Sequence, residues 1–110
     1  MKGKTLKSNF KRYVEVRSKI DSNDSFAIYK KWDELIRLLS EDENETIELL
    51  KTSTKEEIYW ISEVMEEVAE KLDSNTYINT LKSISKKYPE CNLQDIIEIS
   101  VKHMKTKYET

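Results

Sequence analysis

Apolar positions recur at intervals of three and four along most of the chain, the period of one helix face. In the first segment Leu6, Phe10, Tyr13, Val14 and Ile20 share a stripe, and Arg17 lies on it with a stem long enough to snorkel. "DSNDS", residues 21–25, is a turn that supplies Asp24 as an N-cap. In "FAIYKKWDELIRLLS", Ile28, Tyr29, Trp32, Leu35, Ile36 and Leu39 form a second stripe, which assigns Trp32 to the core. "EDENETIELLKTS" holds a short helix anchored by Ile47 and Leu50, with an acidic start suited to a helix N-terminus. Alone it would be marginal. "TKEEIYWISEVMEEVAEKL" reads as one helix opened by a capping box, Thr54 followed three residues later by Glu57. "DSNT" breaks the chain and caps a helix carrying Tyr77, Ile78, Leu81, Ile84 and Tyr88, which Pro89 ends. Asn92 is the expected cap of a last helix along which Leu93, Ile96, Ile97, Val101, Met104 and Tyr108 align.

No period of two marks a strand. One Gly and one Pro leave little material for hairpin turns. The expected fold is all-α: one compact domain over residues 1–110, a bundle of five to six helices joined as antiparallel neighbours. Charged residues make up 36% and hydrophobic ones 37%, so a periodic core must sit beneath a heavily solvated surface. No apolar run approaches the roughly 20 residues of a membrane span. The basic start has no apolar stretch of the secretory kind. Cys91, the only cysteine, reads as a reduced thiol. A cytoplasmic location is expected.

The net charge of −2 conceals an asymmetry: the first segment is strongly basic and residues 21–70 are strongly acidic. At about 100° per residue, the helix over residues 54–72 places Ile58, Ile61, Val64, Met65, Val68, Ala69 and Leu72 in one core arc. Glu56, Glu63, Glu67 and Glu70 fall together on the opposite side, with Glu66 just beyond them. Tyr59 and Trp60 bracket that strip instead of joining the core. Like charges one turn apart destabilise a helix slightly, and large aromatics are enriched at binding hot spots. A solvent- or partner-facing glutamate strip follows, and two positions fit Trp60. It lies at the edge of a partner surface, or it packs under the basic first helix.

Catalytic chemistry finds no support. His103 is the only histidine and lies off its helix stripe, and its neighbour Ser100 has no orienting acid placed by the sequence. The glutamates lack the Glu-x-x-His pairs of carboxylate metal bundles, and there is no phosphate-cradling glycine loop. No enzyme activity, cofactor, metal or small-molecule substrate is expected. Lys4, Lys7, Lys11, Arg12 and Lys19 give the first helix a basic face, but its aromatics are committed to the core stripe. The net acidic chain lacks the footprint of a nucleic-acid binder.

The segment "TKEEIYWISEVMEEVAEKLDSNTYINTLKSISKKYPECNL", residues 54–93, resembles small helical immunity proteins of bacterial polymorphic-toxin systems. These include the partners of contact-dependent growth inhibition toxins of the EndoU ribonuclease type. The resemblance implies inhibition by binding: carboxylates would stand where the substrate phosphates of a basic toxin nuclease otherwise sit. It casts Glu56, Trp60, Glu63, Glu67 and Glu70 as the contact residues, flanked by Tyr59 and Glu66 and extended by Glu41, Asp42, Glu43 and Glu45. No direct nucleic acid or membrane contact is implied. The competing expectation is a helical adaptor or regulator that binds another basic protein.

Overall fold

Four of the helices start where a polar side chain satisfies a free N–H group. Asp24 accepts from the Ala27 N–H, Asp42 from Glu45, and Ser74 from Tyr77. The Thr54 hydroxyl accepts from the Glu57 N–H while the Glu57 carboxylate accepts from Thr54, completing the capping box. In this computed structural model, which describes residues 2–105 and the side chains from residue 5 onward, the described residues form seven α-helices. They are α1 (Lys2–Arg17), α2 (Ser25–Ser40), α3 (Glu43–Thr52), α4 (Lys55–Ser62), α5 (Met65–Leu72), α6 (Asn75–Lys87) and α7 (Gln94–His103). A short 3-10 helix, Pro89–Cys91, precedes α7, and no strand occurs among the described residues. Lys4 and Tyr108, both assigned above, lie outside the described side chains.

The all-α expectation holds, and the helix count differs for two reasons. The segment expected to be marginal alone, residues 41–53, does carry a helix: Ile47, Leu49 and Leu50 of α3 are buried, and α3 packs against α1 and α6. Tertiary packing supplies what its ten residues could not supply alone. The single helix expected over residues 54–72 is two. After Ser62 the chain tightens into i+3 bonds, Glu63 N–H to Trp60 O and Val64 N–H to Ile61 O. Val64 leaves the helical region at φ −126° and ψ 10°, and its carbonyl then starts α5 by accepting from Val68. No side chain caps α5; Glu66 and Glu67 in its first turn face the positive end of its dipole.

The core runs through the middle of the bundle. Phe10 and Tyr13 of α1, Leu35 and Leu39 of α2, Ile58 and Ile61 of α4, and Met65 and Val68 of α5 are enclosed together. Ile78, Leu81, Leu93 and Ile97 close it from α6 and α7. α5 packs most extensively on α7 and also touches α2. The Cα radius of gyration, 13.4 Å, is that of one domain of this length. Among the described residues no helix is long and apolar enough to cross a membrane. Three assignments shift. Tyr29 belongs to the expected α2 stripe but is 57% exposed. Trp32 is half-buried at the core's edge. Asn92 does not cap α7: it adopts a left-handed φ of 53°, tolerated by its short polar side chain, and Leu93 takes the cap position without a side-chain bond.

Two phenols sit deep in this core. The Tyr77 hydroxyl donates to the Met65 carbonyl at 2.9 Å, tying α6 to α5. Burial, and then the charge of Glu67, push this phenol far above its ordinary value of 10.0. Burial, and then Glu63, do the same to Tyr13. With the folded-state values raised, the unfolded chain ionises first. The stabilisation is therefore complete below about pH 10 and is lost as pH rises beyond it. Unfolding free energies from guanidinium titrations are expected to be level up to about pH 9 and to fall above about pH 10, Tyr77 alone removing about 1.4 kcal/mol per pH unit. A free energy that stays flat to about pH 11 would contradict the enclosure of these phenols.

Candidate functional site

The residues singled out in the sequence separate into three neighbourhoods. The first is enclosed and centres on Glu63, where the α4–α5 break turns the carboxylate toward the end of α1. Arg17 closes a bidentate pair with it, Nε to Oε1 at 3.0 Å and Nη2 to Oε2 at 2.6 Å. The two side chains are only 10% and 19% exposed. The Trp32 indole N–H donates to the same Oε1 at 3.1 Å. The Arg17 guanidinium also lies over the Trp60 ring, 5.0 Å from its centroid. Glu63 is thus not on a solvent-facing strip, as the helix periodicity suggested, because the helix carrying that strip breaks at this residue. Trp60 is half-buried against Arg17, so the cation it meets belongs to α1 of its own chain. Its indole nitrogen is enclosed without an acceptor among the described residues, as is the Tyr13 hydroxyl.

The second neighbourhood is a small apolar hollow of about 400 Å³ between α4 and the 3-10 helix. Glu56, Tyr59 and Trp60 line it with Lys55, Glu90 and Cys91. Tyr59 is 57% exposed and meets the Trp60 ring edge-on at 5.1 Å. An exposed Lys55–Glu90 pair at 3.5 Å spans the rim. The Glu90 carboxyl is held below its ordinary range by a backbone hydrogen bond first and by Lys55 second. Burial and then Glu90 push the Cys91 thiol up, which makes it a poor nucleophile at neutral pH.

The third is an acidic groove of about 570 Å³ between α2 and α5. Asp33 and Glu41 from α2 and its end converge there with Glu67 and Glu70 from α5; Arg37 and Lys71 are the cations on its walls. Glu41 also belongs to an adjoining hollow of about 320 Å³ with Asp42 and Glu45, so the two acidic runs of the sequence meet at one residue. Glu66 and Glu43 are half-buried in the first turns of α5 and α3 and line neither groove. Asp33 was not singled out in the sequence. Its signal was available, since Tyr29, Asp33 and Arg37 are spaced by four along one face of α2.

First-turn placement accounts for much of the acid. Glu43 and Glu45 open α3, Glu56 and Glu57 open α4, and Glu66 and Glu67 open α5. It does not account for Asp33, Glu41 and Glu70, which come to the groove from elsewhere on their helices. Among the described residues no group of three or more His, Cys, Asp or Glu is placed to hold a metal ion. His103 is exposed, while the Ser100 hydroxyl is enclosed without a partner. No protein-family profile, curated protein or solved structure matches the chain.

The enclosed cluster makes Trp60 and Glu63 structural before they are anything else. Glu63→Gln leaves the Arg17 guanidinium without its counter-charge and is expected to cost about 3 kcal/mol in urea denaturation. A paired Arg17→Leu, Glu63→Leu variant should regain most of that loss, since an apolar pair of similar volume avoids the desolvation penalty. Trp60→Ala is expected to lose about 2 kcal/mol and to lower the melting temperature by about 10 °C. A Trp60→Ala chain that melts like the parent would show that the indole contributes nothing to the fold.

Proposed function

We propose that this chain is an immunity protein that binds and neutralises a basic toxin, a nuclease domain, in the cytoplasm of the cell that makes it. The observation that carries the reading is the convergence of Asp33, Glu41, Glu67 and Glu70 on one groove that continues into Asp42 and Glu45. Carboxylates delivered by two helices and the corner after α2 outnumber the two cations on the groove walls, Arg37 and Lys71, and leave a net negative field. Such a field steers a cationic partner and rejects an anionic one. It also imitates a run of phosphates, which is what a nuclease site is built to receive. The resemblance of residues 54–93 to helical immunity proteins points the same way. On this reading Glu67 and Glu70 make the contacts at the groove, with Glu41, Asp42 and Glu45 extending it. Glu56 and Tyr59 meet the partner at a separate edge. Glu63 and Trp60 contribute by holding the surface in shape.

The test is affinity capture of the tagged chain from its native cell, followed by mass spectrometry. A basic protein that is lethal when expressed alone and harmless when co-expressed with this chain is the expected capture. Glu67→Lys combined with Glu70→Lys should weaken that complex at least about tenfold, and the parental affinity should fall as salt rises. Capture of no basic protein, or an affinity indifferent to the double charge reversal, would sink the proposal. Capture of a basic protein without toxicity would make the chain a helical adaptor instead.

A further inference from the structure

Two tyrosine–tryptophan pairs, one on α2 and one on α4, are linked through a single ion pair. Tyr29 lies 5.2 Å from Trp32, and Tyr59 lies 5.1 Å from Trp60. Between the two indoles stands the Arg17–Glu63 pair, hydrogen-bonded to Trp32 and stacked on Trp60. The inner members are half-buried or enclosed, and the outer two, Tyr29 and Tyr59, are each 57% exposed. Exposed tyrosines on a mobile surface lose conformational freedom on binding. These two rest on indoles already fixed by an ion pair, so less is lost.

The charges beside the two phenols indicate what they would receive. Asp33 lies one turn beyond Tyr29 on α2, where it lines the acidic groove. Glu56 lies one turn before Tyr59 and shares its hollow. Of the lysines beside these rings in sequence, Lys31 pairs with Glu34, Lys55 with Glu90, and Lys30 sits over the Phe26 ring, while Arg37 shares the groove with Asp33. Each exposed ring therefore has a carboxylate within one turn. The same combination already operates inside the molecule, where Arg17 stacks on an aromatic face and donates two hydrogen bonds to a carboxylate. A planar guanidinium satisfies both demands at once, whereas the point charge of a lysine satisfies them less completely.

We infer that Tyr29 and Tyr59 are the two ends of a rigid aromatic platform that receives arginine side chains of the basic partner, with Asp33 and Glu56 as their carboxylate acceptors. The inference rests on the reading of the acidic groove as a docking surface for a basic protein, and it names the side chain that the surface selects.

Oligo-arginine and oligo-lysine peptides of equal length serve as probes, titrated against the full chain at low salt by calorimetry. The arginine peptide is expected to bind about tenfold more tightly than the lysine peptide. Tyr29→Ala with Tyr59→Ala should abolish that preference, lowering the arginine peptide's affinity about tenfold so that the two peptides bind alike. Tyr29→Phe with Tyr59→Phe, which keeps both rings, should retain it. Equal binding of the two peptides to the parent chain would overturn the platform. So would a preference that survives the double alanine variant. In either case, loss of lysine-peptide binding in the Glu67→Lys, Glu70→Lys variant would leave the acidic groove standing. Failure of both peptides to bind would remove the groove reading and the platform together.

Discussion

One ion pair fixes how α1, α2 and the α4–α5 break meet. Arg17 is the last residue of α1 and Glu63 lies in the break between α4 and α5. Their bidentate contact, with Trp32 donating from α2, ties three parts of the chain at one carboxylate. Removing two charges from water is costly, and the cost is recovered only when the remaining hydrogen-bonding capacity is used. Here Oε1 accepts from both Arg17 and Trp32, and the guanidinium face is covered by Trp60. Among the described residues, the basic first segment and the acidic stretch that follows it meet in one enclosed ion pair.

That contact also sorts the acids. Glu63 faces inward to Arg17 while Glu67 and Glu70 stand exposed at the groove, although all three belong to one strip on an unbroken helix. The break at Val64 is what separates them. Once α4 and α5 are distinct, each has its own N-terminus, and Glu56, Glu57, Glu66 and Glu67 become first-turn residues stabilised by helix dipoles. Part of the acidity that suggests a partner is therefore a consequence of building a domain from short helices. What remains unexplained by the fold is the meeting of Asp33, Glu41 and Glu70 with Glu67 across two helices, and it is on this charge that the proposed function rests.

The legible parts of the fold were those written in local chemistry. The caps at Asp24, Thr54 and Ser74 and the stop at Pro89 are short-range signals, and each operates as its residue types require. The core of residues 58–69 was legible because its apolar positions face inward in either form of the segment. The break was not, because no Gly or Pro marks it and the apolar spacing suits a straight helix equally well. Its stabilising partner, Arg17, is 46 residues away, beyond any window of periodicity. Tyr29 was misplaced for a related reason. It sits at the margin of the α2 stripe, and only the position of the neighbouring helices decides whether a margin is covered. The candidate surface was legible in its acids and illegible in its geometry.

An apolar pair in place of Arg17 and Glu63 could hold α1 against the bundle as well as the ions do, or better. It could not accept the Trp32 N–H, nor lay a cation over the Trp60 ring. The specific contribution of the pair is orientation: it sets the angle of two indoles that in turn support the exposed Tyr29 and Tyr59. Selection for stability alone would favour the apolar solution, since the ions must recover their desolvation before they contribute anything. An ion pair between the two indoles fits the proposed platform, in which the positions of Tyr29 and Tyr59 matter. On the proposed reading the enclosed cluster and the exposed surface are one structure, with the fold supplying the rigidity that a docking surface needs.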